Sequence, residues 1–272
     1  MFASMLSEAG PPSAAPLIVL VVADPARTKD PALTARKNDL YADGIRRHGG
    51  TPALLSAASP TPERDRLLGE MAGLLLTGGA DVDPALYDEP VAGAADIDPA
   101  RDQLERLAWR EAERRRVPVF GICRGFQAIN VFSGGSLRQD VPDHAGTPYG
   151  EGPAETHNLE IDPDSRLARG LAEGSSEGLA TTDEGDSTIE LTVNTYHHQA
   201  VDRDRLADSL RAVGWAPSEQ GRLVEALESR GDWWVVAVQC HPERTESTPT
   251  EFEGLWEAFV REAREAAAAP TT

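Results

Sequence analysis

The chain has 272 residues, 40% of them hydrophobic, enough to bury the core of one large α/β domain or two small ones. Its formal charge is −19, from 45 acidic against 26 basic side chains. A surface this acidic does not suit nucleic-acid phosphates or an anionic membrane. Two cysteines, Cys123 and Cys240, are too few for a disulfide framework and point to a reducing compartment.

Residues 1–15 are rich in Ala, Ser, Gly and Pro and predict a loose tail without a secretory signal, so a cytoplasmic location is expected. Residues 17–23 form a continuous apolar run of strand length, the pattern of a parallel strand covered on both faces. A helix is predicted over 34–48, ending at Gly49-Gly50, then a strand over 52–55 and a helix over 62–71. Residues 74–77 predict a third strand that runs into the turn Gly78-Gly79. An acidic loop over 88–100 leads to a helix over 102–115, with Leu104, Leu107, Ala108 and Ala112 on one stripe. A buried strand over 119–122 stops at Cys123, and Phe126, Ala128, Ile129, Val131 and Phe132 predict a buried helix closed by Gly134-Gly135.

Residues 141–190 read as polar and turn-rich, with a strand near 157–161 and an acidic stretch at 183–190. Short strands follow over 191–193, 210–213, 223–227 and 235–239, and an amphipathic helix carries Phe252, Leu255, Trp256, Phe259 and Val260. The Ala-rich end, 266–272, predicts fraying. Alternating strands and helices in the first half imply a doubly wound, mostly parallel α/β sheet, and the strand-rich second half implies antiparallel additions. One domain over residues 16–265 is expected, because no linker interrupts the chain.

Three segments carry chemistry. Gly121-Ile122-Cys123-Arg124-Gly125 between a strand and a helix has the form of a nucleophile elbow, with the thiol at a helix start where backbone N–H groups favour a thiolate. The bland alternative is an inert cysteine buried after a core strand. His241-Pro242-Glu243 follows a strand, and an extended backbone there would turn both side chains toward one site, a base and its orienting carboxylate. An oxyanion would need backbone donors, for which the amides of Arg124 and Gly79 are suited. Without Cys123, Gly78-Gly79 reads as an ordinary tight turn.

Thr77-Gly78-Gly79, Gly121 to Gln127 and Gln239-Cys240-His241-Pro242-Glu243 together resemble class I glutamine amidotransferases. Residues 78–84, Arg101-Asp102, Asn130 with residues 134–140, and Asn194-Thr195-Tyr196-His197-His198-Gln199 narrow the resemblance to the γ-glutamyl-γ-aminobutyrate hydrolase branch, or C26-type peptidases, over about residues 17–262. The resemblance implies a flavodoxin-like fold and hydrolysis of small γ-glutamyl amides through a glutamyl thioester on Cys123. His241 would be the general base and acid, Glu243 its orienter, and Gly79 and Arg124 the oxyanion donors. Gln127 would contact the glutamyl group, and His197 and His198 would shape the substrate site.

No further ligand cluster is visible in the sequence around His197 and His198, so no metal and no cofactor are expected. His48, His144 and His157 lie in no motif and read as structural or surface residues. The partner expected is a small γ-glutamyl amide, and a homodimer is compatible. Cys240 stands where the family has a bulky aromatic, and Phe126 replaces a small or sulphur-containing residue, so the leaving amine is not carried over. Two other readings stay open: a glutaminase subunit feeding ammonia to a separate synthase, and a catalytically silent binding protein on the same fold.

Overall fold

The computed structural model describes residues 14–147, 151–175, 178–179 and 188–269. The expected N-terminal tail therefore falls largely outside the described residues, as does most of the acidic stretch at 183–190, whereas α6 continues to Ala268, into the end expected to fray. The elements in chain order are β1 (Leu17–Val21), α1 (Pro31–Arg47), β2 (Thr51–Leu55), α2 (Thr61–Glu70), β3 (Gly73–Leu76), α3 (Pro99–Arg115), β4 (Val119–Ile122) and α4 (Arg124–Phe132). They continue with β5 (Glu155–Ile161), α5 (Arg166–Gly174), β6 (Ile189–Thr195), β7 (Leu210–Ser218), β8 (Gly221–Ser229), β9 (Val235–Val238) and α6 (Phe252–Ala268).

The strands form one sheet in the order β2-β1-β3-β4-β9-β8-β7-β5-β6. Pairing is parallel from β2 to β9 and antiparallel from β9 to β6. This is the doubly wound sheet with antiparallel additions that the strand pattern implies. The all-apolar runs sit at its centre: every residue of β3, β4 and β9 is buried. Alternate residues of each strand feed the two layers. Ile18, Leu20 and Phe120 pack with Tyr41 and Ile45 of α1 and with Leu255, Trp256 and Phe259 of α6. Val19, Val21 and Val119 pack with Leu67 of α2, Leu104 and Trp109 of α3 and Ile129 of α4. In the first layer Phe120 meets the edge of Trp256 at a centroid distance of 5.1 Å, a geometry that adds to simple burial.

Helices start where capping chemistry allows. Asp30 and Asp98 accept hydrogen bonds from first-turn amides of α1 and α3, each with proline in its first turn. Helix α5 lies in the stretch read as turn-rich. Its Ser165 cap accepts from the Ala168 amide at 2.9 Å, and its buried Leu167, Ala168 and Leu171 share the layer of α6. So short an apolar stripe, bracketed by polar loops, is fixed by packing on α6 rather than by its own periodicity. Among the described residues no helix is long and apolar enough to cross a membrane.

Candidate functional site

Strands β3, β4 and β9 are adjacent and parallel, so their carboxyl ends lie side by side, where open α/β sheets place their ligands. Thr77-Gly78-Gly79 leaves β3, Cys123 leaves β4, and Gln239-Cys240-His241 leaves β9. Cys123 sits in the turn into α4 with φ 52° and ψ −106°, a backbone that a non-glycine residue holds only under constraint. Its amide donates to the Val238 carbonyl at 2.8 Å and its carbonyl accepts from Gln127 N–H at 3.1 Å. Gly125 lets α4 press onto β3: a Cβ there would collide with the Leu76 carbonyl. Gly78 is squeezed from three sides, since a Cβ on it would come within 2.6 Å of the Tyr41 hydroxyl, 2.9 Å of the His241 ring and 3.6 Å of the Cys123 Cβ. Cys123, His241 and the turn after β3 therefore converge.

His241 is fixed at both ends of its peptide unit. Its amide donates to Asn194 Oδ1 at 2.8 Å, and its carbonyl accepts from Asn194 Nδ2 at 3.1 Å and from the Thr248 hydroxyl at 2.9 Å. Its Nδ1 lies 2.6 Å from Glu243 Oε1, so the extended His-Pro-Glu does bring both side chains together. Burial disfavours the charged imidazole, but the Glu243 carboxylate, followed by Cys123, outweighs it and pushes the His241 pKa up to about 9. Glu243 is held below the ordinary carboxylate range: burial opposes its charge, and His241 and Arg244 more than offset that. Tyr196 meets the His241 ring edge to face at 5.5 Å, and the Arg244 guanidinium covers Tyr196 at 4.0 Å.

A buried ion network supports the turn after β3. Arg101 donates to the carbonyls of Thr77 and Gly78 at 2.9 and 3.0 Å and pairs with Glu105 at 2.9 Å. Arg124, the residue after Cys123, pairs with Asp102 and Glu105. All four side chains are buried. Burial raises the Asp102 pKa to about 6 despite Arg124. The network joins the two segments that meet at Cys123, because Arg101 holds the β3 end and Arg124 begins α4. Arg101-Asp102 is visible as a motif in the sequence; the signal for Glu105 is its position one helical turn after Arg101.

The cleft above this point has a volume of ≈ 800 Å³ and is bordered by Lys37, Tyr41, Gly79, Cys123, Gln127, Tyr196, His197, His198, His241 and Arg244. A smaller cavity of ≈ 280 Å³ lies away from it, at residues 134–136 and Arg205. The sequence-predicted Gly79, Cys123, Gln127, His197, His198 and His241 thus share one cleft, with Glu243 behind His241. Gln127 turns its amide group inward, to the Gln199 carbonyl and Gln239 Oε1, both at 3.1 Å. His198 is one-third exposed and pairs with Asp81 at 3.0 Å. Tyr41 was missed from sequence: its hydroxyl accepts from the Gly78 amide at 3.1 Å, and nothing about a tyrosine on the buried face of α1 announces that role.

The Peptidase C26 family model matches residues 18–243. The chain belongs to the Peptidase C26 family. It is 30% identical over 244 residues to the γ-glutamyl-γ-aminobutyrate hydrolase PuuD of Escherichia coli, covering 84% of this chain and 86% of that one. It is 32% identical to protein NtpR of Enterococcus hirae, covering 82% of this chain and 87% of that one. Among solved structures, the glutaminase domain of Trypanosoma brucei CTPS with bound acivicin matches with a TM-score of 0.60 at 16% identity, covering 92% of this chain and 94% of that one. That likeness shows the shared fold.

A second cluster in this Peptidase C26 chain corrects the expected mechanism. His144, His197 and Glu225 are buried, and each offers a ligating atom within 4.8 Å of the others. Among the described residues this is the group of three or more His, Cys, Asp or Glu side chains gathered so closely, and no cysteine belongs to it. A thioester mechanism needs its thiol inside the acid–base cluster, and Cys123 stands outside this one. On that finding the expected cysteine-nucleophile hydrolase of γ-glutamyl amines, with its catalytic triad, is withdrawn. The absence of a ligand cluster around His197 is likewise corrected: His144 and Glu225, distant in sequence, supply one beside this cleft-lining residue.

Proposed function

We propose that this chain is a glutaminase-type subunit that takes glutamine into the cleft and supplies ammonia to a separate synthase. The observation that carries this reading is the convergence of Cys123, His241 and Gly78 at the ends of three adjacent parallel strands. Water and glutamine give glutamate and ammonia, so a proton must reach the departing nitrogen. A buried imidazole with a pKa raised to about 9 holds that proton near neutral pH and can donate it. His241, backed by Glu243, is proposed to give that proton to the amide nitrogen, Cys123 is proposed to border the amide, and the amides of Gly79 and Arg124 are proposed to hold its carbonyl oxygen. Gln127, His197 and His198 are proposed to bound the glutamyl side of the cleft. In this reading the chain works as one domain in the cytoplasm, with glutamine as its small-molecule partner.

One observation favours a catalytically silent binding protein instead: the compact group of His144, His197 and Glu225, which reaches the cleft through His197, contains no thiol. Calorimetric titration with L-glutamine, run beside an assay for ammonia release, separates the two. Saturable binding with slow release, the release lost in a folded His241→Asn variant, is the expected result. Binding with no release in any condition supports the silent protein. Absence of glutamine binding, or faster turnover of γ-glutamyl-γ-aminobutyrate than of glutamine, would overturn the proposal.

A further inference from the structure

The buried cluster has a feature that a hydrogen-bonded core does not explain. His144 Nε2 lies 3.1 Å from the Pro217 carbonyl, and His197 Nδ1 lies 2.9 Å from the Gln199 carbonyl. A carbonyl can only accept, so each of these nitrogens carries the ring's N–H. The opposite nitrogens, His144 Nδ1 and His197 Nε2, are then lone pairs in the neutral rings. Both point at the same carboxylate oxygen, Glu225 Oε1, at 3.9 and 3.5 Å. Acceptor faces acceptor. Neither of these nitrogens, nor either Glu225 oxygen, has a hydrogen-bond partner, and all are buried. Each buried polar group left unpaired costs about 1–3 kcal/mol, so something that accepts electron pairs belongs among them.

We propose that His144, His197 and Glu225 bind a divalent transition-metal ion of the zinc type. The backbone carbonyls of Pro217 and Gln199 act as the outer partners that fix the tautomer of a metal-binding imidazole. Imidazole and carboxylate together suit zinc better than calcium or magnesium, which prefer all-oxygen sites. His157 supplies a fourth donor: its Nε2 is 3.5 Å from the other Glu225 oxygen, and both of its ring nitrogens are buried without a partner. Two imidazoles and a carboxylate with a third imidazole make a closed, four-ligand set, the structural type of zinc site.

Ligands about 2.1 Å from a tetrahedral zinc stand about 3.4 Å apart, so His144, His197 and Glu225, whose ligating atoms lie within 4.8 Å of one another, close slightly around the ion.

The position gives the ion a task. His144 lies on the short 3-10 helix Pro142–His144, His157 on β5, His197 in the segment beside the cleft and Glu225 on β8. The His197 amide and the Thr195 hydroxyl both donate to the His144 carbonyl, at 3.1 and 2.7 Å. An ion here would clamp the antiparallel half of the sheet to the segment Tyr196 to Gln199, which borders the ligand cleft.

The test is metal content and affinity. The full-length protein is stripped with chelator, and Zn²⁺ is titrated by calorimetry, with retained metal counted by mass spectrometry after dialysis. One Zn²⁺ per chain is expected in the wild type and in Cys123→Ala, with affinity reduced by about 100-fold or more in Glu225→Gln and in His144→Asn. The Co²⁺-loaded protein should show d–d bands without a thiolate charge-transfer band, a readout that needs no variant to fold. No retained metal in the wild type overturns the proposal. So does a site that survives Glu225→Gln but disappears in Cys123→Ala, since the ion would then sit in the cleft.

Discussion

Replacing Glu243 by Gln removes the charge that faces His241 at 2.6 Å while keeping the side chain's size. Lifting the imidazole from its ordinary 6.5 to about 9 corresponds to about 3 kcal/mol of preference for the protonated ring. Burial works in the opposite direction, and without the carboxylate it has only Cys123 to oppose it. His241 in the variant is therefore expected to titrate at least about 2 pH units lower than in the wild type. The same shift enters stability with a definite sign. A group whose pKa is raised on folding stabilises fully below its unfolded value, and that contribution is lost as pH rises through the folded value. The wild type should lose stability between pH 6.5 and about 9, and the variant should be flatter over that window. Imidazole nitrogen shifts by NMR, with His241 assigned from a His241→Asn spectrum, report the titration; urea unfolding across the same window reports the stability. A His241 that still titrates near 9 in Glu243→Gln would refute the reasoning.

Three further outcomes follow from the packing. Glu105→Gln leaves Arg101 and Arg124 buried with too little negative charge, and should cost about 3–5 kcal/mol in urea unfolding; a loss below about 1 kcal/mol would show that the network does not support the site. Gly125→Ala drives a methyl into the Leu76 carbonyl and should cost about 2–3 kcal/mol, with glutamine binding weakened in parallel; an unchanged melting temperature would contradict the close approach of α4 to β3. Asn194→Ala strips the His241 amide and carbonyl of a shared partner and should cost about 2 kcal/mol, with a broadened His241 resonance; a sharp, unshifted signal would show that Thr248 and Glu243 suffice to fix the ring.

The parallel half of the fold is legible because its strands are buried on both faces, and continuous apolar runs such as residues 17–23 and Val119–Ile122 need no tertiary information to be recognised. The same runs end at the glycines, the cysteine and the histidine that the sheet then sets side by side. The extended His-Pro-Glu is also local: the spacing of two residues, stiffened by proline, delivers the 2.6 Å contact between His241 and Glu243. Helix α5 is not legible, because its short stripe acquires meaning only against α6.

What the sequence alone determined is therefore the order of strands and helices in the parallel half, the family, and the residues around Cys123 and His241, all carried by local pattern. Only the tertiary structure decided which charges stand behind them and which acid–base residues gather apart from the thiol. Arg101 and Glu105 look like an ordinary helical ion pair until Arg124 joins them from another element. Glu225 looks like one polar residue in a strand until the antiparallel register of β7 and β8 and the turn after β6 bring it to His144 and His197. Periodicity reports which face of its own element a side chain occupies. The convergence of three histidine-bearing segments on one carboxylate is set by how the sheet is ordered, and that order is written in no single stretch of the chain.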